Sequence, residues 1–207
     1  MAIVYNRLLL GTIDTIGQLR WPVELRAGLI GAAVGVLAWF APGLVGGGDA
    51  ITQRALLGVD TLAVLPLVFL LRLWLGAISY AAGTPGGLFA PMLVLGAQLG
   101  LFFGQLCQLI FPDLNIQPEA FAVVGMAAFF TGVVRAPLTG IVLVVEMTAS
   151  VTMLLPMLGA CFMAMLAPTL MCDPPIYDSL RERTLERERT RLNQEERVAS
   201  GFTRERE

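Results

Sequence analysis

The segment 83-GTPGGLFAPMLVLGAQLG-100 interrupts the backbone in the middle of the most apolar part of the chain. Three glycines and Pro85 fall within its first five residues, and a second proline, Pro91, precedes a long apolar run. Glycine and proline disfavour a continuous helix, whereas proline is tolerated in the first turn of a new one. The segment therefore predicts a helix that begins between Leu88 and Pro91, inside the apolar region.

The composition is typical of a membrane protein. Of the 207 residues, 56% are apolar and 14% are charged, and the mean hydropathy is +0.73. Soluble domains are charged at about a quarter of their positions. Five Asp, Glu and Arg residues occur between positions 61 and 170, but sixteen occur between positions 178 and 207. We therefore expect an integral membrane region over residues 1–180 and a charged, cytoplasmic and partly disordered tail over 181–207.

The residue content argues against several classes of function. A net charge of −2 without a basic cluster argues against a nucleic-acid partner. There is no histidine, and the three cysteines stand singly in apolar surroundings, so we expect no metal site and no cofactor and interpret the cysteines as small buried side chains. Because no nucleophile and base form a recognisable motif, the chain is not expected to be an enzyme.

Apolar runs separated by glycine and proline predict an all-α, polytopic membrane protein. The predicted helical blocks are 1–19, 25–40, 55–83 with a break near Asp60, 88–110, 119–134, 136–147 and 151–170. Blocks 119–134 and 136–147 are shorter than the ~20 residues of a spanning helix, so we expect tilted and partial-length helices.

Two finer expectations concern side chains within these blocks. Gly28, Gly31 and Gly35 follow the spacing of small residues in membrane helices, which predicts another helix packed closely against this face. Asp60 and Arg72 are expected to reach water from opposite ends of one helix.

The predicted helix start has the properties of an anion site. Its first backbone N–H groups have no partner within the helix, and the positive end of the helix dipole lies behind them. The chain has no lysine, and no arginine lies within ten residues of 83-GTPGGLFAP-91. A site without a formal positive charge binds an anion weakly enough to release it, which favours transport. A plain loop before a packed helix is the alternative.

Four segments carry a more specific signal when taken in order. They are 45-VGGGDAI-51, 87-GLFAP-91, 125-GMAAFFTGVVRAPLTGIVLVVEMT-148 and 174-PPIY-177. Together they resemble the C-terminal half of the CLC family of chloride channels and proton/chloride exchangers. The resemblance implies the second half of an inverted-repeat fold, chloride as the transported ligand, and a homodimer in the bilayer when full length. It also implies location in a bacterial cytoplasmic (inner) membrane.

The same resemblance implies the residues of the anion site. They are Leu88, Phe89 and Tyr177 for the ion, and Gly86, Gly87 and Pro91 for the backbone of the motif. The N–H groups of Leu88 and Phe89 would bind chloride, and the hydroxyl of Tyr177 would donate a hydrogen bond to the same ion. An aromatic anchor at the membrane surface is the alternative for Tyr177.

The sequence also departs from the family pattern. Two motifs of the family's first half, a GSGIP loop and a GREGP segment with its gating glutamate, do not occur in these residues. We therefore expect the chain alone not to enclose a complete pore, with a non-transporting membrane fragment or a dimerisation scaffold as the alternative function. These residues do not distinguish a channel from an exchanger. Arg135 and Glu146 are charges within the membrane region, which by default suggests a function. The resemblance implies instead that their stretch is mainly structural and forms a helix at the dimer interface, and this role is preferred for both.

Overall fold

The computed structural model describes residues 1–18, 22–83 and 87–204. This part of the chain forms nine α-helices, one short 3-10 turn and no strand. The helices are α1 (Ala2–Gln18), α2 (Val23–Phe40), α3 (Asp49–Leu56), α4 (Leu65–Ala81), α5 (Phe89–Ile110), α6 (Pro118–Val134), α7 (Pro137–Thr148), α8 (Leu154–Leu170) and α9 (Ile176–Arg204), and the 3-10 turn is Pro42–Leu44. The prediction of an all-α protein is confirmed.

Proline and glycine set most of the helix boundaries. Pro118 and Pro137 occupy the first turns of α6 and α7, where a missing N–H costs nothing. Gly48 precedes α3 with a φ of 92°, which glycine adopts without strain. The break predicted near Asp60 is confirmed, and Asp60 accepts a hydrogen bond from Arg54 Nε at 2.9 Å.

The helix lengths fit a membrane fold with partial-length helices. Among the described residues, α2 with 18 residues and α5 with 22 are long and apolar enough to cross a bilayer. The helices α4, α6 and α8 have 17 residues each, and α7 has 12. At about 1.5 Å per residue, 17 residues cover roughly 25 Å and 12 cover roughly 18 Å of a hydrocarbon core about 30 Å thick.

Helices α5 and α6 approach closely because glycines line their contact. A Cβ added at Gly96 would lie 2.6 Å from the carbonyl oxygen of Gly125, and one added at Gly104 would lie 2.8 Å from Pro118 Cα. A Cβ at Gly100 would collide with the carbonyl oxygen of Phe121. The small-residue spacing of α5 therefore lets the two backbones touch, as in other membrane helix pairs.

The expectation of close packing on α2 is wrong for the described part of the chain. Cβ atoms added at Gly28, Gly31 or Gly35 would meet no atom within 4 Å, and α2 has no buried residue. Its last residues, Trp39 and Phe40, are 85% and 81% exposed. The small-residue spacing is present, but no other described helix lies against it.

The chain divides into two compact units, Met1–Asp173 and Pro174–Glu207. The first contains α1 to α8, and the second contains α9, in which Ser179 donates a hydrogen bond to the Pro175 carbonyl at 3.2 Å. The domain boundary predicted at residue 180 and the partial disorder of the tail stay predictions. Cys161 is buried as expected, but Cys172 is exposed, so the interpretation of all three cysteines as buried is wrong.

Candidate anion site

The α5 N-terminus lies where the sequence predicts it. Helix α5 begins at Phe89, and Leu88 precedes it with φ −83° and ψ −12°. The first hydrogen bond at this end runs from the Met92 N–H to the Leu88 carbonyl at 3.1 Å. Pro91 lies in the first turn of α5, where a backbone N–H has no acceptor within the helix. Its missing N–H therefore costs no hydrogen bond.

Three backbone N–H groups therefore precede the first hydrogen bond of α5. They belong to Leu88, Phe89 and Ala90, and no acceptor for them is found among the described residues. The first turn carries no acidic residue. The donors and the helix dipole act in the same direction, which is the arrangement that binds an anion through backbone alone.

The side chains of the first turn pack against other helices. Leu88 is 4% exposed, and the ring of Phe89 meets that of Phe130 on α6 edge to face, with centroids 5.5 Å apart. Pro91 lies against Gly76 of α4, where an added Cβ would be 4.0 Å from Pro91 Cβ. These contacts fix the first turn of α5 between α4 and α6.

The structure brings only some of the predicted site residues together. Leu88, Phe89 and Pro91 share the first turn of α5, and Gly87 directly precedes it, with no atom within 4 Å of an added Cβ. Gly86 lies outside the described residues. Tyr177 lies in the first turn of α9, in the second unit, and its role at the ion stays a prediction.

Arg72 is the side chain near this site that sequence reasoning missed. It lies in the middle of α4 and is 8% exposed, so the expectation that it reaches water at a helix end is wrong. Its Nη1 donates hydrogen bonds to the carbonyls of Leu44 and Gly46, at 3.2 and 3.1 Å. The sequence did carry a signal, namely an arginine in the middle of the apolar run 55–83, because charged residues inside membrane segments usually face the protein interior or a cavity.

Residues 44–48, before α3, form a glycine-rich loop, and its contact with Arg72 depends on Gly48. A Cβ at Gly48 would collide with Arg72 Nη2 on one side and with Val94 Cγ2 of α5 on the other. The loop therefore fits between α4 and α5 only without a side chain at this position. Arg72 also lines a cavity together with Leu88, so a formal positive charge borders the same cavity as the start of α5.

A polar cluster forms around Asp173, the last residue of the first unit. The Asp173 carboxylate accepts a hydrogen bond from Asn6 Nδ2 at 3.4 Å and lies 3.7 Å from Arg7 Nε. Its carbonyl accepts a hydrogen bond from Arg135 Nη2. The backbone of Arg135 ends α6 in a left-handed conformation with a φ of 66°. Its guanidinium connects this helix end to Asp173, so both parts of the residue are structural. Glu146 is exposed and forms no ion pair within 4 Å among the described residues.

Sequence comparisons with known proteins all point to one family. The family described as "Voltage gated chloride channel" matches residues 1–168. The H(+)/Cl(-) exchange transporter ClcA of Cronobacter sakazakii is 39% identical in an alignment of 188 residues that covers 88% of this chain and 40% of that protein. The protein of the same name from Vibrio parahaemolyticus is 35% identical over 193 residues, covering 91% of this chain and 41% of that protein.

A solved structure extends the likeness to the fold. The crystal structure of a slow cyanobacterial Cl−/H+ antiporter matches with a TM-score of 0.83 and 34% sequence identity. The match covers 90% of this chain and 44% of the antiporter. The chain thus spans about two fifths of the length of the curated relatives it matches.

Proposed function

Because this chain belongs to the voltage gated chloride channel family, we propose that it forms the C-terminal half of a chloride transport protein and carries part of its anion site. The relatives compared are named as proton/chloride exchangers or antiporters, which supports exchange rather than a simple channel. A bacterial cytoplasmic membrane as the location and a homodimer when full length belong to the same proposal.

The observation that carries the proposal is the start of α5. The N–H groups of Leu88, Phe89 and Ala90 have no acceptor among the described residues, and the 22-residue helix adds its dipole. In a membrane an unpaired N–H costs several kcal/mol, so a partner is needed. A partly dehydrated chloride ion supplies that partner and accepts several N–H groups at once.

The proposed contribution of Tyr177 is a hydrogen bond from its hydroxyl to the same ion. Two amide donors and one hydroxyl replace part of the hydration shell without a formal charge in direct contact. Such a site binds chloride strongly enough to select it and weakly enough to let it leave.

A chimera tests the proposal in a complete protein. The matching segment of the Cronobacter sakazakii transporter is replaced by the part of this chain that aligns with it, and chloride efflux is measured from liposomes. We expect efflux above that of empty liposomes. A chimera that is folded, by size-exclusion chromatography and circular dichroism, but inactive would contradict the proposal.

The Tyr177→Phe variant of the chimera tests the hydroxyl. This change removes the hydrogen bond but keeps the ring, so an aromatic anchor would survive it. We expect slower efflux or weaker discrimination between chloride and larger anions. Unchanged efflux and selectivity would favour the anchor.

The alternative function, a membrane fragment that does not transport, is addressed with residues 1–207 alone. The length of the chain relative to its relatives favours this outcome for the isolated polypeptide. Chloride efflux from liposomes that contain only this chain would rule the alternative out.

A further inference from the structure

Arg72 is a buried cation whose charge is incompletely balanced within the described residues. Both hydrogens of Nη1 serve the carbonyls of Leu44 and Gly46, which leaves the N–H groups of Nε and Nη2. No carboxylate lies within 4 Å of the guanidinium among those residues. The exposed Asp49, at the start of α3, attracts Arg72 from farther away.

Hydrogen bonds to carbonyl oxygens satisfy donors but do not neutralise a charge. In an apolar environment a guanidinium without a close counter-ion is strongly destabilised. Intramembrane arginines accordingly pair with acids or line aqueous, ion-accessible cavities. Arg72 has no close acid among the described residues, but it does line a cavity.

A cavity of about 290 Å³ lies beside Arg72 and reaches the start of α5. One of its walls is a face of α4, and it is formed by residues at helical spacing, namely Arg72, Leu75, Gly76, Ser79 and Tyr80. The cavity is also lined by Gly46 of the glycine-rich loop and by Gly87, Leu88 and Pro91 at α5. Two of the residues on the α4 face carry hydroxyl groups, so the cavity combines a cation with neutral donors.

We propose that this cavity binds a monovalent inorganic anion on Arg72, with the hydroxyls of Ser79 and Tyr80 as further donors, as a second position beside the α5 N-terminus. The inference rests on the proposed function, because it takes an anion to bind at the start of α5 and adds a second position for the same kind of anion beside it. The charge of Arg72 raises the anion concentration next to Leu88. The bonds from Nη1 hold the guanidinium in place, and the N–H groups of Nε and Nη2 are the donors left for the ion.

Bromide locates both positions in one experiment. The chain is crystallised from a lipidic phase with sodium bromide, and anomalous difference density is calculated. We expect one peak within about 3.5 Å of the Arg72 guanidinium and another at the N–H groups of Leu88 and Phe89. A peak at α5 alone overturns the inference and leaves the proposed function standing. A peak at Arg72 alone supports the inference and overturns the α5 assignment, and no peak at either place overturns both.

Chloride titration of the purified chain distinguishes a specific site from bromide binding at crystal concentration only. Ser79→Ala and Tyr80→Phe each remove one hydroxyl and leave the bonds of Arg72 intact, so the fold is kept. We expect each to weaken one of two chloride-binding events by about 3- to 10-fold, the effect of one hydrogen bond. Ser150→Ala, at a hydroxyl that pairs with Thr152 in the α7–α8 loop, is the matched control and should leave both events unchanged.

The charge itself is tested by Arg72→Met with Arg54→Met as the control. Both changes remove one positive charge, but Arg54 is largely exposed and paired with Asp60. We expect the second binding event to disappear only in Arg72→Met. Should Arg72→Met fail to fold, the two hydroxyl variants decide, and two unaltered chloride-binding events in both of them overturn the inference.

Discussion

Arg72 on α4 donates a hydrogen bond to the carbonyl of Gly46 at 3.1 Å, across 26 residues of sequence. The bond attaches the glycine-rich loop to the helix that packs against Pro91, in the first turn of α5. The loop, α4 and the candidate anion site thus form one connected structure. Its stability depends on one buried side chain.

Removing this side chain should destabilise the fold. In Arg72→Met two carbonyls lose charged donors, and we expect a loss of about 2–4 kcal/mol in unfolding free energy. Arg54→Met removes an ion pair in which the Arg54 side chain is 61% exposed and the Asp60 side chain 10% exposed, and it should cost about 1 kcal/mol, less than Arg72→Met. Thermal unfolding in detergent, followed by circular dichroism, compares the two, and equal melting temperatures would contradict the role given to Arg72.

A second prediction follows from the close contact between the glycines of α5 and the backbone of α6. In Gly100→Ala the new methyl group meets the Phe121 carbonyl, so the helices must separate at a cost of about 1–3 kcal/mol or more. In Gly31→Ala on α2 the methyl group meets no atom within 4 Å, and the higher helix propensity of alanine should add about 0.5–1 kcal/mol. Opposite shifts in melting temperature are therefore expected, and a stabilising Gly100→Ala would show that the contact is not close.

The third prediction concerns Arg135 and the loop before α9. Arg135→Asn keeps a residue that tolerates positive φ but removes the donor to the Asp173 carbonyl. We expect a loss of about 1–2 kcal/mol and faster hydrogen exchange at the amides of Cys172 and Asp173.

Ala149→Asn provides the matched control, because Ala149 is exposed and also has a positive φ, 51°. Asparagine suits that conformation better than alanine does, so stability should be unchanged or slightly higher. Equal hydrogen-exchange rates at Cys172 and Asp173 in the two variants would show that the hydrogen bond from Arg135 does not protect these amides.

Much of the fold could be predicted from the sequence because proline and glycine act locally. Pro137 and the segment before Leu88 determine helix starts through their own backbone preferences, so α7 and α5 begin within a residue or two of the expected positions. The break near Asp60 follows for the same reason.

Contacts between distant residues could not be predicted in this way. The partners of Arg72 lie 26 and 28 residues away, and nothing in the intervening sequence indicates them. The small-residue spacing occurs on both α2 and α5, but among the described helices one lies against the glycines of α5 and none against those of α2, which depends on the arrangement of the whole unit. The donors at Leu88 and Phe89 were predictable because a helix start always exposes them.

The central claim is that backbone N–H groups at the start of α5 bind chloride. Replacing Phe89 by its α-hydroxy analogue converts this amide to an ester, which removes the N–H and keeps the ring that packs on Phe130. The same replacement at Phe103, within α5, is the control for the chemistry. We expect chloride affinity, measured by calorimetric titration of the purified chain, to fall about 10- to 100-fold for the ester at Phe89 and to stay unchanged for the ester at Phe103. Equal affinities in the two proteins would contradict the account.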